Sequence, residues 1–145
     1  MARRNDPYLN FNFLVELGGG IVGGFSEADL PAGRIEAIAY REGSDRTSAA
    51  RLLPGRVEYG PLVLRRGFAG DPALFEWWRE VRDGGPDPRN VSVVLLDEQR
   101  QEVGRWNLRN AWPSKWSGPA MNAKGSDVAI ETLELVHEGI ELDVT

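Results

Sequence analysis

The sequence contains no cysteine. That absence excludes a disulfide framework, a thiolate zinc site and a cysteine nucleophile together, so stability rests on packing alone. Nor is there any stretch of about 18 consecutive apolar residues, the length that crosses a bilayer as a helix, and no stable membrane insertion is expected. The opening MARRNDPYLN carries two arginines but leads into no apolar run long enough for a secretory signal. Synthesis in the cytoplasm is the expectation.

Histidine is nearly absent too. His137 is the only one, and a zinc protease of the two-histidine type needs a second on the same helical face. A serine triad would need a nucleophile on a sharp turn, and no G-x-S-x-G surrounds any serine. His137 therefore reads as a structural histidine at a strand end or an interface. Gly18, Gly20 and Gly23 fit G-x-G-x-x-G after a predicted strand, but FSEADLPAG reaches Pro31 without a helical stripe, so no helix N-terminus is there to meet a pyrophosphate. Glu131, Glu134 and Glu138 could suggest paired carboxylates, yet spacing alone cannot set two of them across a sugar; an acidic edge, solvated or facing a subunit, is the ordinary reading. No catalytic residue, metal site or cofactor is expected.

At 145 residues the chain reads as a single domain, residues 1–145, able to bury a core unaided. The net charge of −5 argues against a general nucleic-acid binder. The charge is polarised, however: seven arginines face four acids between Arg34 and Arg66, while the stretch from Ser126 to Thr145 has six acids and no Lys or Arg. One copy's basic segment could meet another's acidic one, or both could be solvated faces of a monomer.

Strand periodicity dominates. FNFLVEL alternates Phe11, Phe13, Val15 and Leu17. GRIEAIAYREG and RVEYGPLVLRRG are shorter mixed runs, and VSVVLLDEQRQEVGRWNLRNAW predicts a hairpin turning at DEQRQ. The exception is DPALFEWWREVRDGG. Asp71 can cap it, Pro72 suits the first helical position, and Leu74, Trp77, Trp78 and Val81 form one apolar stripe. DVAIETLELVHEGIEL fits either period, but its β-branched residues favour a strand. Residues 43–56 are expected to be the longest irregular piece. Residues 111–127, AWPSKWSGPAMNAKGSD, predict a loop that is neither helix nor strand, ordered by a cluster of Trp106, Trp112 and Trp116. Exposed tryptophans also suit carbohydrate, but nothing else marks a sugar site.

The segment NAWPSKWSGPAMNAKGSDVAIETLELVHEGIEL strongly resembles the closing motif of inner tube proteins from contractile injection systems: phage tails, tailocins and extracellular injection particles. DPYLNFNFLVEL resembles the family's opening strand, GGFSEADL its second, IEAIAYREG the strand entering its long loop, and LRRG the strand end before its helix. The blocks cover about Asp6 to Leu142 in order.

The resemblance implies a mainly β fold: two packed antiparallel sheets in a small β-barrel or sandwich, one flanking α-helix, and a long loop reaching a neighbouring subunit. It implies hexameric rings stacked into a tube inside a contractile sheath, with baseplate, tape-measure and terminator proteins as further partners and a cargo protein or DNA in the lumen. If six subunits give four strands each, the lining holds about 24 strands and leaves a channel of roughly 35 to 40 Å. Such a chain is made in the bacterial cytoplasm and becomes part of a phage tail or a released particle. A baseplate tube-initiating paralogue, a secreted ring carrying effectors like the distantly related Hcp of type VI secretion, and an enzyme of unknown class are the alternatives.

Within this reading, Arg41, Glu42, Gly43, Asp45, Arg46 and Arg51 of the long loop are candidates for subunit or ring contacts. Glu131, Glu134 and His137 are the candidates on the C-terminal strand, and Trp112 and Trp116 order the loop before it. Charge reversal at Arg46 or Arg51 should weaken assembly, read by light scattering, while leaving the monomer folded; unchanged assembly would contradict that placement.

Overall fold

The computed structural model describes residues 12–18, 21–22, 24–41, 43, 50–125 and 128–144. Ten strands and one helix follow in chain order among them: β1 (Phe13–Leu17), β2 (Ile21–Val22), β3 (Phe25–Asp29), β4 (Gly33–Tyr40), β5 (Arg51–Tyr59), β6 (Leu62–Gly67), α1 (Ala73–Arg82), β7 (Arg89–Leu96), β8 (Glu102–Ser117), β9 (Ile130–Val136) and β10 (Ile140–Val144). All strand pairs are antiparallel.

β8 organises the body. Its first half pairs with β7 on one edge and β10 on the other, whereas its second half pairs with β9. One half of the body is thus β2-β1-β7-β8-β10 and the other is β8-β9-β6-β3, with β8 shared. Opposite Leu108 lies Ile140, and opposite Trp112 lies Val136, so β9 and β10 follow one register along β8 across a break at residues 137–139. Asn110 has φ of 50° at this point, and Gly139 is at 158°. Asn tolerates the left-handed region better than most residues; a side chain on Gly139 would run into the Arg109 guanidinium. These two positions let the ladder bend from one sheet to the other.

The bend gives the halves a common core. Val15, Leu17, Val91, Val93 and Leu108 of the first half cluster with Leu62, Leu64, Leu133 and Leu135 of the second. Alternation produces this arrangement, since β6 and β9 bury every second residue. The strand path ends at β2 and β3 without closing. Of the two forms expected, the sandwich describes it, not the barrel.

Leu74 and Trp77 of α1 are buried, and the Trp77 indole N–H donates to the Asp87 carbonyl at 2.9 Å. Trp78 and Val81 complete the stripe at its half-exposed margin. The start of the helix differs from expectation by one residue. Pro72 occupies the cap and Ala73 opens the helix, while the Asp71 carboxylate accepts the Ala73 N–H at 3.0 Å.

Two expected irregular segments are partly strand. Residues 111–117 belong to β8, and residues 51–56 to β5. Proline misled the reading in both cases. Pro113 and Pro54 sit where the ladder register shifts, the setting in which a strand tolerates a missing N–H. RVEYGPLVLRRG divides at Gly60–Pro61 between β5 and β6. The hairpin at DEQRQ is present, closed by Asp97, whose carboxylate accepts the N–H groups of Gln99 and Gln101. Arg105 donates to Glu102 and holds that carboxyl below the usual carboxylate range. Its small contribution is present at neutral pH and fades as acid titrates the folded group.

Leu133 touches both halves' core and has no exposed surface. Leu133→Ala should lower the unfolding free energy by about 2–5 kcal/mol, measured by urea titration; a change below about 1 kcal/mol would place it outside the core.

Candidate subunit interface

β4 and β5 form a two-stranded arm separate from the body sheet. Every residue of β4 is exposed, as is every residue of β5 except Gly55. Alternation with the observed register assigns the two faces. Ile35 pairs with Val57, Ala37 with Pro54, and Ala39 with Leu52, so these six share one face. All six are apolar, with Leu52 70% and Ile35 59% exposed. The opposite face carries Arg34, Glu36 and Glu58 near the root, then Ile38, Leu53, Tyr40 and Arg51 toward the tip. Gly55 lets the Ile38 side chain lie against the backbone, since a Cβ there would come within 2.6 Å of it and displace it.

Apolar side chains this exposed gain about 25 cal/mol for each Å² removed from water. A two-stranded ribbon is also marginally stable when isolated. An apolar sheet face of this kind marks an interaction site.

His137 fastens the arm's root. Gly139 N–H donates to its Nδ1 at 3.2 Å, which places the ring proton on Nε2, where it is donated to the Gly60 carbonyl at 2.9 Å. Gly60 N–H in turn donates to the Ala32 carbonyl, and the Tyr59 ring lies 5.5 Å from the imidazole. One side chain thereby joins both arm strands to the bend in the main ladder.

The other C-terminal candidates separate. Glu134 is half-buried and forms an ion pair with Lys115 at 3.4 Å. Glu131 is fully buried, which overturns the solvated or subunit-facing edge expected for it. It accepts from Arg66 Nε at 2.8 Å and from the Trp116 indole N–H at 2.7 Å. Arg66 also donates to the Asp71 carbonyl at 2.9 Å, tying β6 and β9 to the start of α1. Buried charge is retained here because each partner has hydrogen bonds as well as an opposite charge. Glu131 sits inward for a simple reason: it alternates in step with Leu133 and Leu135.

The three tryptophans do not cluster. Trp106 lies opposite Val93, Trp112 is exposed, and Trp116 meets the Phe75 ring edge-on at 4.9 Å. Trp116 ties the segment to Glu131 and α1, and the segment is also held in the ladder with β9, where Trp112 lies opposite Val136. In the long loop, Arg41 and Gly43 are exposed past the end of β4, and Arg51 begins β5 opposite Tyr40. Glu42, Asp45 and Arg46 lie outside the described residues. Sequence reasoning took the charges of this region and missed its apolar face. The signal was present in Ile35, Ala37 and Ala39 at period two, facing Leu52, Pro54 and Val57.

The family of the T4-like virus tail tube protein gp19 matches residues 9–141. The chain belongs to this family. Among solved structures, a chain of the anti-feeding prophage (AFP) baseplate, 6-fold symmetrised, is similar at 26% identity, covering 97% of this chain and 98% of that one with a TM-score of 0.83. A chain of the PVC sheath-tube complex of an extracellular contractile injection system in its extended state shares 21% identity over 97% and 94%, with a TM-score of 0.87. Hcp1 from Flavobacterium johnsoniae is more distant, at 13% identity over 92% and 95% with a TM-score of 0.58. These last two likenesses concern the fold. No curated protein sequence matches. A tail tube protein is a structural subunit.

Glu131→Gln keeps the shape but leaves Arg66 buried without its counter-charge. A loss of about 3–5 kcal/mol is expected, read as a lower midpoint in urea; a midpoint within error of the parent would show the pair to be dispensable.

Proposed function

We propose that the chain, acting as one tail-tube domain, is the inner tube subunit of a contractile injection system or phage tail. Six copies form a ring, and rings stack head to tail into a conduit for a cargo protein or DNA, which sheath contraction drives into a target. Baseplate, sheath and terminator proteins are its further partners. The chain is made in the bacterial cytoplasm and becomes part of a phage tail or of a particle released from the cell. Its work is mechanical and breaks no bond.

The observation that carries this reading is the apolar face of the β4–β5 arm, with Leu52, Ile35 and Val57 half or more exposed. In a tube each arm has a neighbour to cover it. Arg41, Gly43 and Arg51 at the arm's end, together with Glu42, Asp45 and Arg46, are assigned to the same contact. His137 acts within its own chain by aiming the arm. Heterologous contacts of this kind close into rings or propagate as filaments according to the rotation they impose. A tube-initiating role at the baseplate is the second reading, favoured by the 26% identity to a chain of the AFP baseplate structure.

Leu52→Asp tests the first reading. The monomer should keep its circular dichroism spectrum, while rings or tubes in negative-stain images fall at least tenfold, as expected when about 2 kcal/mol is removed from each contact. Assembly at the parent level would refute the arm's role.

A further inference from the structure

His137 is the chain's only histidine, and histidine is the side chain whose charge ordinarily changes between about pH 5 and 8. Its position gives that change a structural effect. Gly139 is buried and its N–H donates to Nδ1 at 3.2 Å, while Nε2 donates to the Gly60 carbonyl at 2.9 Å. The neutral imidazole with its proton on Nε2 fits both contacts. The imidazolium fits only one, because a second proton on Nδ1 would face the Gly139 N–H donor to donor. A buried N–H deprived of its acceptor is unfavourable, so the ring or the backbone at residue 139 must shift.

We infer that His137 is a pH-sensitive latch: its neutral form fastens the root of the β4–β5 arm to the bend in the ladder, and its protonation releases it. The sign follows from the geometry. Protons are taken up as the pH falls, so the latch holds at neutral pH and above and opens in acid. The charged groups around the ring do not supply a counter-ion that would hold the cation in place. On the ladder, Glu138 follows His137 with its carboxylate accepting from Asn110 at 2.6 Å, and Arg109 donates to the Glu138 carbonyl at 3.1 Å; their charges are opposite. On the arm, Tyr59 presents its ring at 5.5 Å, whereas Arg34 and Glu58, one position along the register, point to the ribbon's other face. Both bonds of the imidazole go to backbone groups, and they decide which form fits. The consequence for assembly rests on the tube-subunit reading: an arm no longer aimed loses more freedom when a neighbour covers it, so fewer rings form in acid. The latch itself does not depend on that reading.

Nitrogen-15 NMR of the full-length chain reads the single imidazole without any substitution. At about pH 8 it should show Nδ1 unprotonated and Nε2 protonated; the reverse tautomer would overturn the latch. The lack of cysteine then allows one nitroxide label, at Leu52→Cys in β5, on chain dilute enough to stay monomeric. Between about pH 8 and pH 5.5 the rotational correlation time of the label should fall at least about twofold, with the midpoint of the imidazole signals. With His137→Gln added, whose amide does not titrate, it should not change with pH. A label that keeps its mobility while the imidazole titrates, an imidazole that takes up no proton across that range, or a response that survives His137→Gln would each overturn the proposal. Ring counts in negative stain separate it from the tube reading. Rings at the higher pH that fall at least about tenfold at the lower one, with a count independent of pH in His137→Gln, support both. A label that responds in a chain forming no rings at either pH, even with baseplate components added, would leave the latch standing and overturn the tube reading.

Discussion

The register of β8 against β9 and β10 is the constraint on which the rest depends. One strand of 16 residues serves both halves of the body, and its partner edge keeps the same alignment on either side of the break at residues 137–139. A slip of one residue would turn Leu133 and Leu135 outward. It would also expose Glu131, separate it from Arg66 and Trp116, and free α1 from its tie at Asp71. The bend places His137 beside Gly60, so the direction of the arm is set by the same ladder that makes the core.

This coupling joins stability to assembly. The body has a closed core, in which the leucines of β6 and β9 have no exposed area. The arm does not. Its apolar face has no second layer over it among the described residues, and exposed apolar patches of this kind mark interaction sites. Fixing the root through two hydrogen bonds and a ring contact reduces the freedom that would be lost if, as proposed, a neighbour covers the arm. A rigidly aimed arm also favours one angle between subunits, which decides whether the contact closes.

Much of this was legible in the sequence where one period was clean. The β1 alternation, the α1 stripe with its Trp77 and Leu74, and the hairpin at Asp97 follow from local rules, and the ambiguous C-terminal run resolved as strand through its β-branched residues. The family resemblance extended this to the sandwich and to the tube. Long-range pairing was less accessible. Pro113 and Pro54 read as loop residues because bulges that accommodate proline are defined by the partner strand, not by the flanking residues. Glu131 read as an edge charge because its counter-ion, Arg66, is 65 residues away. The arm's face was hidden for the same reason, with half of it on each side of the loop.

Cryo-electron microscopy of the assembled chain tests the central claim most directly. The account predicts six-fold rings, open at the centre, in which the Ile35, Leu52 and Val57 face of each arm is covered by an adjoining copy. Rings whose arms stand free in solvent, or a chain that stays monomeric with its baseplate partners present, would contradict it.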